Sequence, residues 1–219
     1  AEAQGFTDVA DATTPAPLAG ASYTIPAAAA PGTYNGSLTY IDANGCLASD
    51  PFTITVNANP EATTNDVQVC QGTTSEAIVL TPTVGIPTGY WIDYDPTAEA
   101  QGFTDAGTAM APLPIAGANY AIPAAGAPGV YNAVISYIDA NGCTGTDAFT
   151  VEIFENPVAT TNDVQVCQGT TTENIVITAT TGAPINYFID YDPAAEAQGF
   201  TDVADATTPA PLAGASYTI

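Results

Sequence analysis

The chain has no lysine, arginine or histidine, and its 23 acidic residues give a formal net charge of −23 over 219 residues. It therefore lacks the imidazole, amine and guanidinium groups that most enzymes use for acid–base work, Schiff bases and anion binding. The same absence excludes nucleic acid as a partner, because no cation is present to replace the counterions of a polyanion. Anionic membrane surfaces are excluded for the same reason. We predict that the protein is not an enzyme.

Long hydrophobic runs are absent as well. No apolar stretch approaches the roughly 20 residues that a membrane-spanning helix needs. The N-terminus shows no charged start followed by an apolar stretch, so we expect no signal peptide in these residues. Hydrophobic residues nevertheless make up 46% of the chain. That share is enough for a packed core and argues against a disordered acidic tail.

An internal repeat organises the sequence. Residues 1–97 and 98–194 share 62 identities without a gap, and residues 195–219 repeat residues 1–25 letter for letter. A period of 97 residues is too long for a solenoid coil and matches one small domain. Trp91 is replaced by Phe188 in the next copy, a change that keeps apolar character, so we expect Trp91 in the core.

The domain boundaries are predicted at two Asn-Pro pairs, each of which follows a β-rich run and precedes a polar stretch. One complete domain then covers residues 61–157, which we call the central unit. Residues 1–60 form the back part of one copy, and residues 158–219 form the front part of another.

Helix signals are nearly absent, since 18 prolines and 19 glycines interrupt the chain. Prolines bracket the alanine run 27–30, which is too short to nucleate a helix and is predicted to be an extended connector. Apolar residues alternate at period two in several places, which is typical of half-buried strands; these are Val67/Val69, Ile78/Leu80, Tyr131/Ala133/Ile135/Tyr137 and Phe149/Val151/Ile153. About seven short strands per repeat predict an all-β fold of tandem antiparallel β-sandwich domains.

Three motifs carry a resemblance to a known family. Gly129-Val130-Tyr131, like Gly32-Thr33-Tyr34 in the first copy, resembles the tyrosine corner of immunoglobulin-like domains. Asn141-Gly142 is typical of a tight hairpin between the last two strands, with both residues at positive φ. Together with Cys70-Gln71-Gly72-Thr73, these motifs are similar to the tandem immunoglobulin-like repeats of very large bacterial surface adhesins, notably those of gliding bacteria.

The resemblance implies a structural function. The chain is expected to be a stalk or filament segment of a secreted, repetitive adhesin, extracellular and at the cell surface. Its partners would be neighbouring repeats of the same protein, together with lateral self-association. Two alternatives stay open. One is a ligand- or glycan-binding module that uses loops such as Asp8–Ala19, and the other is a filament subunit polymerised by strand complementation.

Four cysteines, two per period, suit a secreted protein with one bridge per domain. The candidate pairs are Cys46–Cys70, Cys70–Cys143 and Cys143–Cys167. In an immunoglobulin-like sandwich the first strand starts at the end where the last hairpin turns, which would place Cys70 and Cys143 at one pole. We therefore predict a Cys70–Cys143 disulfide, with Cys46 and Cys167 unpaired in this segment.

Carboxylates recur at fixed places in each copy. Asp93 and Asp95 flank a tyrosine and should point to one face of a strand. Asp66 and Asp139 are expected near the junction with the previous copy, where a structural calcium ion would stiffen the linker. The favoured interpretation is a solvated, aggregation-resistant surface, and no other cofactor is expected.

Overall fold

The computed structural model describes residues 2–10 and 13–218. Over these residues the chain is built from short strands, with a single 3-10 turn at Glu2–Gln4 and one-turn helices α1 (Pro96–Glu99) and α2 (Pro193–Glu196). The strands are β1 (Gly32–Ile41), β2 (Leu47–Val56), β3 (Glu61–Thr64), β4 (Val67–Cys70), β5 (Ser75–Ala77), β6 (Leu80–Val84), β7 (Pro87–Tyr94), β8 (Leu113–Pro114), β9 (Asn119–Ala121), β10 (Gly129–Asp139), β11 (Thr144–Phe154), β12 (Val158–Thr161), β13 (Thr172–Asn174), β14 (Ile177–Thr181), β15 (Asn186–Tyr187), β16 (Ala210–Pro211) and β17 (Ser216–Thr218). The predicted all-β class is confirmed.

One five-stranded sheet forms a layer of the central unit, in the order β4-β11-β10-β7-β8. The pairs β3–β6 and β5–β9 form the facing layer. The alanine connector contains no helix, as predicted.

The alternating apolar residues of β10 and β11 form the inner face of the large sheet, as the sequence pattern predicts. Every second residue of these strands is buried, from Tyr131 to Tyr137 and from Phe149 to Ile153. The positions between them face outward, as the period of a strand requires, and are polar except for the exposed Val134. The buried apolar cluster as a whole is formed by Ala62, Val67, Val69, Tyr90, Ile92, Tyr94, Ala98, Phe103, Tyr120, Ile122, Tyr131, Ala133, Ile135, Tyr137, Phe149, Val151 and Ile153.

Two tyrosines tie the layers together. The Tyr137 hydroxyl accepts a hydrogen bond from the Ala62 amide at 2.8 Å and donates one to the Ala62 carbonyl at 3.1 Å, which joins β10 to β3. The Tyr120 ring on β9 lies 4.7 Å, centroid to centroid, from the ring of Phe149 on β11. The tyrosine corner is also present, because the Tyr131 hydroxyl donates to the Ala127 carbonyl at 2.6 Å.

The first strand changes sheets halfway along, at Asn65 and Asp66. Asn65 still bonds the facing layer, since its side chain accepts from the Val79 amide at 2.8 Å. The Asp66 carboxylate accepts from the Thr150 amide of β11 at 2.8 Å, and β4 then continues parallel to β11. The sandwich is therefore antiparallel except at this one edge, where the strand switch introduces a parallel pair that the sequence pattern did not predict.

The expectation that Trp91 belongs to the core is wrong. Tyr90, Ile92 and Tyr94 of β7 are buried, whereas Trp91 is half-buried. A Cβ atom built at Gly107 would lie 3.3 Å from the Trp91 Cβ, so this glycine covers the outer side of the strand. The next copy keeps an apolar residue at this position, Phe188, because the side chain here is partly covered. Partial covering is enough to favour an apolar residue, so the substitution does not distinguish a core position from a surface one.

The sequence holds only the back part of the first copy, and the hairpin of that part is packed less completely than its counterpart in the central unit. Leu38 on β1 is 43% exposed, whereas its counterpart Ile135 is 0% exposed. Tyr40 is 48% exposed, against 1% for Tyr137. The hairpin β1–β2 has the same register as β10–β11 but lacks the facing strands that bury the equivalent residues in the central unit.

Buried tyrosines predict a loss of stability in alkali. Burial raises the pKa of Tyr94 to about 12, and the nearby Tyr90 and Asp105 add to this shift. Between pH 10 and 12 the unfolded chain has lost the phenolic proton that the folded chain keeps, so stability falls as pH rises. We expect a loss of about 2–3 kcal/mol from Tyr94 over this range, measured by urea unfolding. The Tyr94→Phe variant should show a shallower dependence on pH, and an identical slope would contradict the assignment.

Candidate functional site

The structure places Cys70 and Cys143 at opposite ends of β11. Cys70 pairs with Phe154 at the end of that strand, whereas Cys143 directly precedes its first residue, Thr144. Eleven strand residues at ~3.3 Å each span about 36 Å, and a disulfide tolerates a Cα separation of about 6 Å. The premise that both cysteines lie at one pole is therefore wrong.

Cys70 and Cys143 are far apart because the first strand is long. Its start at Glu61 does lie beside the last hairpin, but β3 and β4 together carry the chain to the far end before Cys70 is reached. The four cysteines are free thiols in this structure; Cys46, Cys70 and Cys167 are exposed and Cys143 is partly exposed. The structure does not support a Cys70–Cys143 bridge within one unit.

The hairpin that ends in Cys143 is held by Asp139. The carboxylate of Asp139 accepts from the amides of Asn141 and Cys143, both at 2.9 Å. Gly142 has a φ of 83°, but Asn141 does not adopt positive φ, so the predicted turn with two left-handed residues is wrong. The Asp139 carboxylate stabilises the turn without a second left-handed residue, because it accepts hydrogen bonds directly from the loop amides. Asp42 makes the same contacts in the first copy.

The entry pole of the central unit consists of Pro60, Gly85 and the hairpin 139–145. Pro60 is fully buried. A Cβ atom built at Gly85 would lie 3.5 Å from the Pro60 Cα, and one built at Gly145 would clash with the Pro60 carbonyl oxygen. The chain therefore enters the unit through a proline packed between two glycine backbones. The sequence predicted a boundary here but gave no sign of this packing.

The exit pole consists of the turn 70–73 and residues 154–157. The Gln71 amide donates to the Phe154 carbonyl at 2.9 Å, and the Asn156 side-chain amide donates to the Gln71 carbonyl at 2.9 Å. The hydroxyl of Thr181, from the following copy, donates to the Asn156 carbonyl at 3.4 Å. Asn156 thus contacts both copies at their junction. Sequence reasoning missed this role, although the recurrence of Asn before each boundary proline was the available signal.

The candidate calcium ligands do not come together. Asp66 bonds Thr150 in the middle of β11, whereas Asp139 is the last residue of β10, at the hairpin before β11. Desolvation alone would raise the pKa of Asp139, but hydrogen bonds from the Cys143 amide and from the side chain and amide of Asn141 together outweigh it and hold the pKa below its usual value. Over residues 2–10 and 13–218 the structure shows no group of three or more acidic or cysteine side chains placed to hold a metal ion.

An open groove of about 660 Å³ lies on the outer face of the large sheet. Its acidic side chains are Asp66, Asp93, Asp95 and Glu99, and Val134 lies on its floor. Asp93 is exposed while Tyr94 is buried, so the predicted orientation of this segment is confirmed. Asp95 begins helix α1, because its carboxylate accepts from the Ala98 amide at 2.8 Å. Asp66 accepts hydrogen bonds from both the amide and the hydroxyl of Thr150, at 2.8 and 3.0 Å, so this carboxylate holds the edge of the sheet.

The alternative binding loop, Asp8–Ala19, is described only in part, since Asp11 and Ala12 lie outside the described residues. Within the described part of the chain, no helix is long and apolar enough to cross a membrane.

Comparisons with known proteins give a distant structural likeness. No protein-family model matches the sequence, and no curated protein matches it. Among solved structures, the chain is similar to a structure of protocadherin gamma B7 extracellular cadherin domains 1–4, with 13% identity and a TM-score of 0.30 over 85% of this chain. The match covers 48% of that chain, so the present chain spans about half of its length. A likeness this distant carries no argument about function.

The Asp139 loop provides a test of the entry pole. Replacing Asp139 with alanine leaves the amides of Asn141 and Cys143 without their acceptor, and we expect a lower urea midpoint for the central unit. Because the pKa is lowered on folding, this contribution is present above about pH 4 and is lost as pH falls further. Trp91, the single tryptophan, reports the unfolding of the central unit by fluorescence.

The matched control is Asp42→Ala, which removes the same loop contacts from the first copy. It should leave the Trp91 transition where it was. An equal shift for both variants would show that the effect is not local to the hairpin.

Proposed function

We propose that the chain is a segment of an extracellular stalk, part of a large, repetitive, secreted adhesin whose units are joined end to end and extend the array from the cell surface. One observation carries this proposal. The chain enters the central unit at Pro60, beside the hairpin before β11, and leaves it at Asn156, beyond the other end of β11. Entry and exit at opposite ends of one long strand make each unit a spacer, whereas entry and exit at the same end would fold the copies back on each other.

The length of a unit follows from its strands. β11 spans about 36 Å, and the short linker adds a few ångströms. We therefore expect an axial rise of about 40 Å for every 97 residues.

The junctions are built alike and are short. Pro60 lies against Gly85, and 97 residues later Pro157 lies against Gly182, where an added Cβ atom would be 3.2 Å from the proline Cα. A proline limits the backbone freedom of the linker. Its contact with a glycine of the following unit supports a stiff joint rather than a flexible tether.

The charge of the units favours extension. The central unit carries 11 acidic residues and no basic ones, so neighbouring units repel each other. The absence of lysine and arginine also removes trypsin-type cleavage sites, which suits a protein exposed outside a cell.

Electron microscopy of the full-length protein tests the proposal. We expect an unbranched filament with a periodicity of about 40 Å, or a simple multiple of it, along its axis. Denaturing, reducing mass measurement should show one very large polypeptide. Compact particles, or tight and saturable glycan binding by a single unit, would favour a binding module instead.

Strand complementation between separate chains is a second candidate, in which residues 158–219 of one chain are completed by residues 1–60 of another. A species of 22.1 kDa under denaturing, reducing conditions, together with filaments under native conditions, would support this version over a continuous array.

A further inference from the structure

We infer that consecutive units are joined by a disulfide across each junction, between a thiol at the exit pole of one unit and a thiol at the entry pole of the next. The inference rests on the proposed end-to-end arrangement. Within the central unit, Cys70 marks the exit pole and Cys143 marks the entry pole, on opposite sides of a strand of 11 residues. Each unit therefore presents one thiol to each neighbour.

The contacts at the exit pole place the following unit close to Cys70. Asn156 receives a hydrogen bond from Thr181 of the next copy and donates one to Gln71, the residue after Cys70. Asn156 is thus hydrogen-bonded both to the exit turn of one unit and to the entry pole of the next. Cys70 lies at this meeting point and is exposed.

The entry pole brings its cysteine to the same junction. In the central unit, the hairpin that holds Cys143 packs on Pro60 through Gly145, next to the contact between Pro60 and Gly85. The equivalent contact between Pro157 and Gly182 is present one copy later. The corresponding hairpin of that copy is therefore expected to close over Pro157, one residue from Asn156.

The sequence identifies which cysteine that hairpin carries. Residues 195–219 repeat residues 1–25 letter for letter rather than residues 98–122. We therefore expect the unit that begins at residue 158 to continue as residues 26–60 do, with a thiol of the Cys46 type. Cys70 then pairs with a Cys46-type cysteine, and Cys143 pairs with a Cys167-type cysteine.

The chemistry balances as a thiol–disulfide exchange. The Cys70 and Cys46-type thiols lose two protons and two electrons as one S–S bond forms. An extracellular disulfide, either of an oxidoreductase or of a small molecule, takes up the electrons and is reduced to two thiols. Exposure of both cysteines gives the oxidant access to the first thiol that it attacks.

Peptide mapping of the native full-length protein tests the pairing. After free thiols are blocked, a protease that cleaves after Asp and Glu gives four distinguishable cysteine peptides. Cys70 lies in 67–76 and Cys167 in 164–173, which differ at Ser75 and Thr172, while Cys143 lies in 140–147 and Cys46 in a peptide that starts at residue 43. We expect the Cys70 peptide linked to the Cys46 type and the Cys143 peptide linked to the Cys167 type. Cys70 linked to Cys143, or free thiols throughout, would overturn the inference.

A variant gives an independent readout. With Cys46→Ser at every copy of that sequence, Cys70 should become free to alkylation while the Cys143–Cys167 linked peptide remains. A bridge within each unit would instead free the Cys167 type and leave Cys70 paired, which would contradict the inference. The matched variant Ser49→Ala, in the same peptide, should change neither link.

The result is separable from the proposed function. A giant polypeptide under reducing conditions with free thiols would keep the stalk and remove the disulfide. A 22.1 kDa species under reducing conditions, with the Cys70–Cys46 link present before reduction, would keep the disulfide and replace the continuous array by separate chains.

Discussion

Replacing Phe149 with alanine is expected to lower the free energy of unfolding of the central unit by about 3–5 kcal/mol. Phe149 is 2% exposed, and its ring lies 4.7 Å from that of Tyr120 and 6.3 Å from that of Tyr94. The substitution removes the buried ring, leaves a cavity between the two layers and breaks both aromatic contacts. A loss of this size is a large part of the stability of a domain of about 100 residues.

The matched control is Phe154→Ala on the same strand. Phe154 is 44% exposed, so its truncation should cost less than about 1 kcal/mol. Both values follow from urea unfolding monitored by the fluorescence of Trp91, which reports the central unit alone. Equal losses at the two positions would contradict the assignment of Phe149 to the interface between the layers.

Removing the hydroxyl of Tyr137 is expected to cost about 2–3 kcal/mol. Tyr137→Phe keeps the ring but leaves the amide and the carbonyl of Ala62 buried without the partner that both now contact. The cost of unsatisfied buried groups exceeds the modest net value of a hydrogen bond. The lost hydrogen bonds join β10 to β3, so the substitution weakens the contact between the first strand and the large sheet.

The same chemical change at Tyr94 should have the opposite sign. The Tyr94 hydroxyl is buried and has no hydrogen-bond partner among the described residues. Tyr94→Phe therefore removes a desolvated polar group and is expected to be neutral or stabilising by up to about 1 kcal/mol. Both variants are compared by urea unfolding at pH 7. A comparable loss at both positions would show that ring packing, rather than the hydroxyl, determines the result.

The strands of the large sheet could be predicted because their residues alternate without interruption. The buried positions follow period two from Tyr131 to Tyr137 in β10 and from Phe149 to Ile153 in β11, and the tyrosine corner adds a side-chain motif with a fixed partner four residues away. Local pattern and burial coincide there, since one face meets the facing layer and the other meets water. The boundaries of the central unit come from the repeat length, and they remain a prediction.

The positions of the cysteines could not be obtained in the same way. Whether Cys70 lies near Cys143 depends on how far the first strand runs before it turns, and that length is set by the switch at Asn65 and Asp66. The switch involves side-chain contacts to Val79 and Thr150, which are distant in sequence. The buried positions change phase across it, from Ala62 to Val67, but the polar run between them carries no apolar residue that would show the change in the sequence. The capping of the last hairpin by Asp139 was missed for a related reason, because Asn-Gly alone does not specify the turn.

In the proposed end-to-end array, the glycine at position 145 would affect the shape of the filament. Its bare backbone touches the carbonyl of Pro60, but the first copy carries Ala48 at the equivalent place. An extra methyl group there would shift the hairpin slightly while it stays over its proline, so two slightly different joints would alternate. Such a cable would have a true pitch of 194 residues rather than 97, with a small bend at every second joint. Image averaging should then show the units grouped in pairs, with each pair rotated relative to the preceding pair.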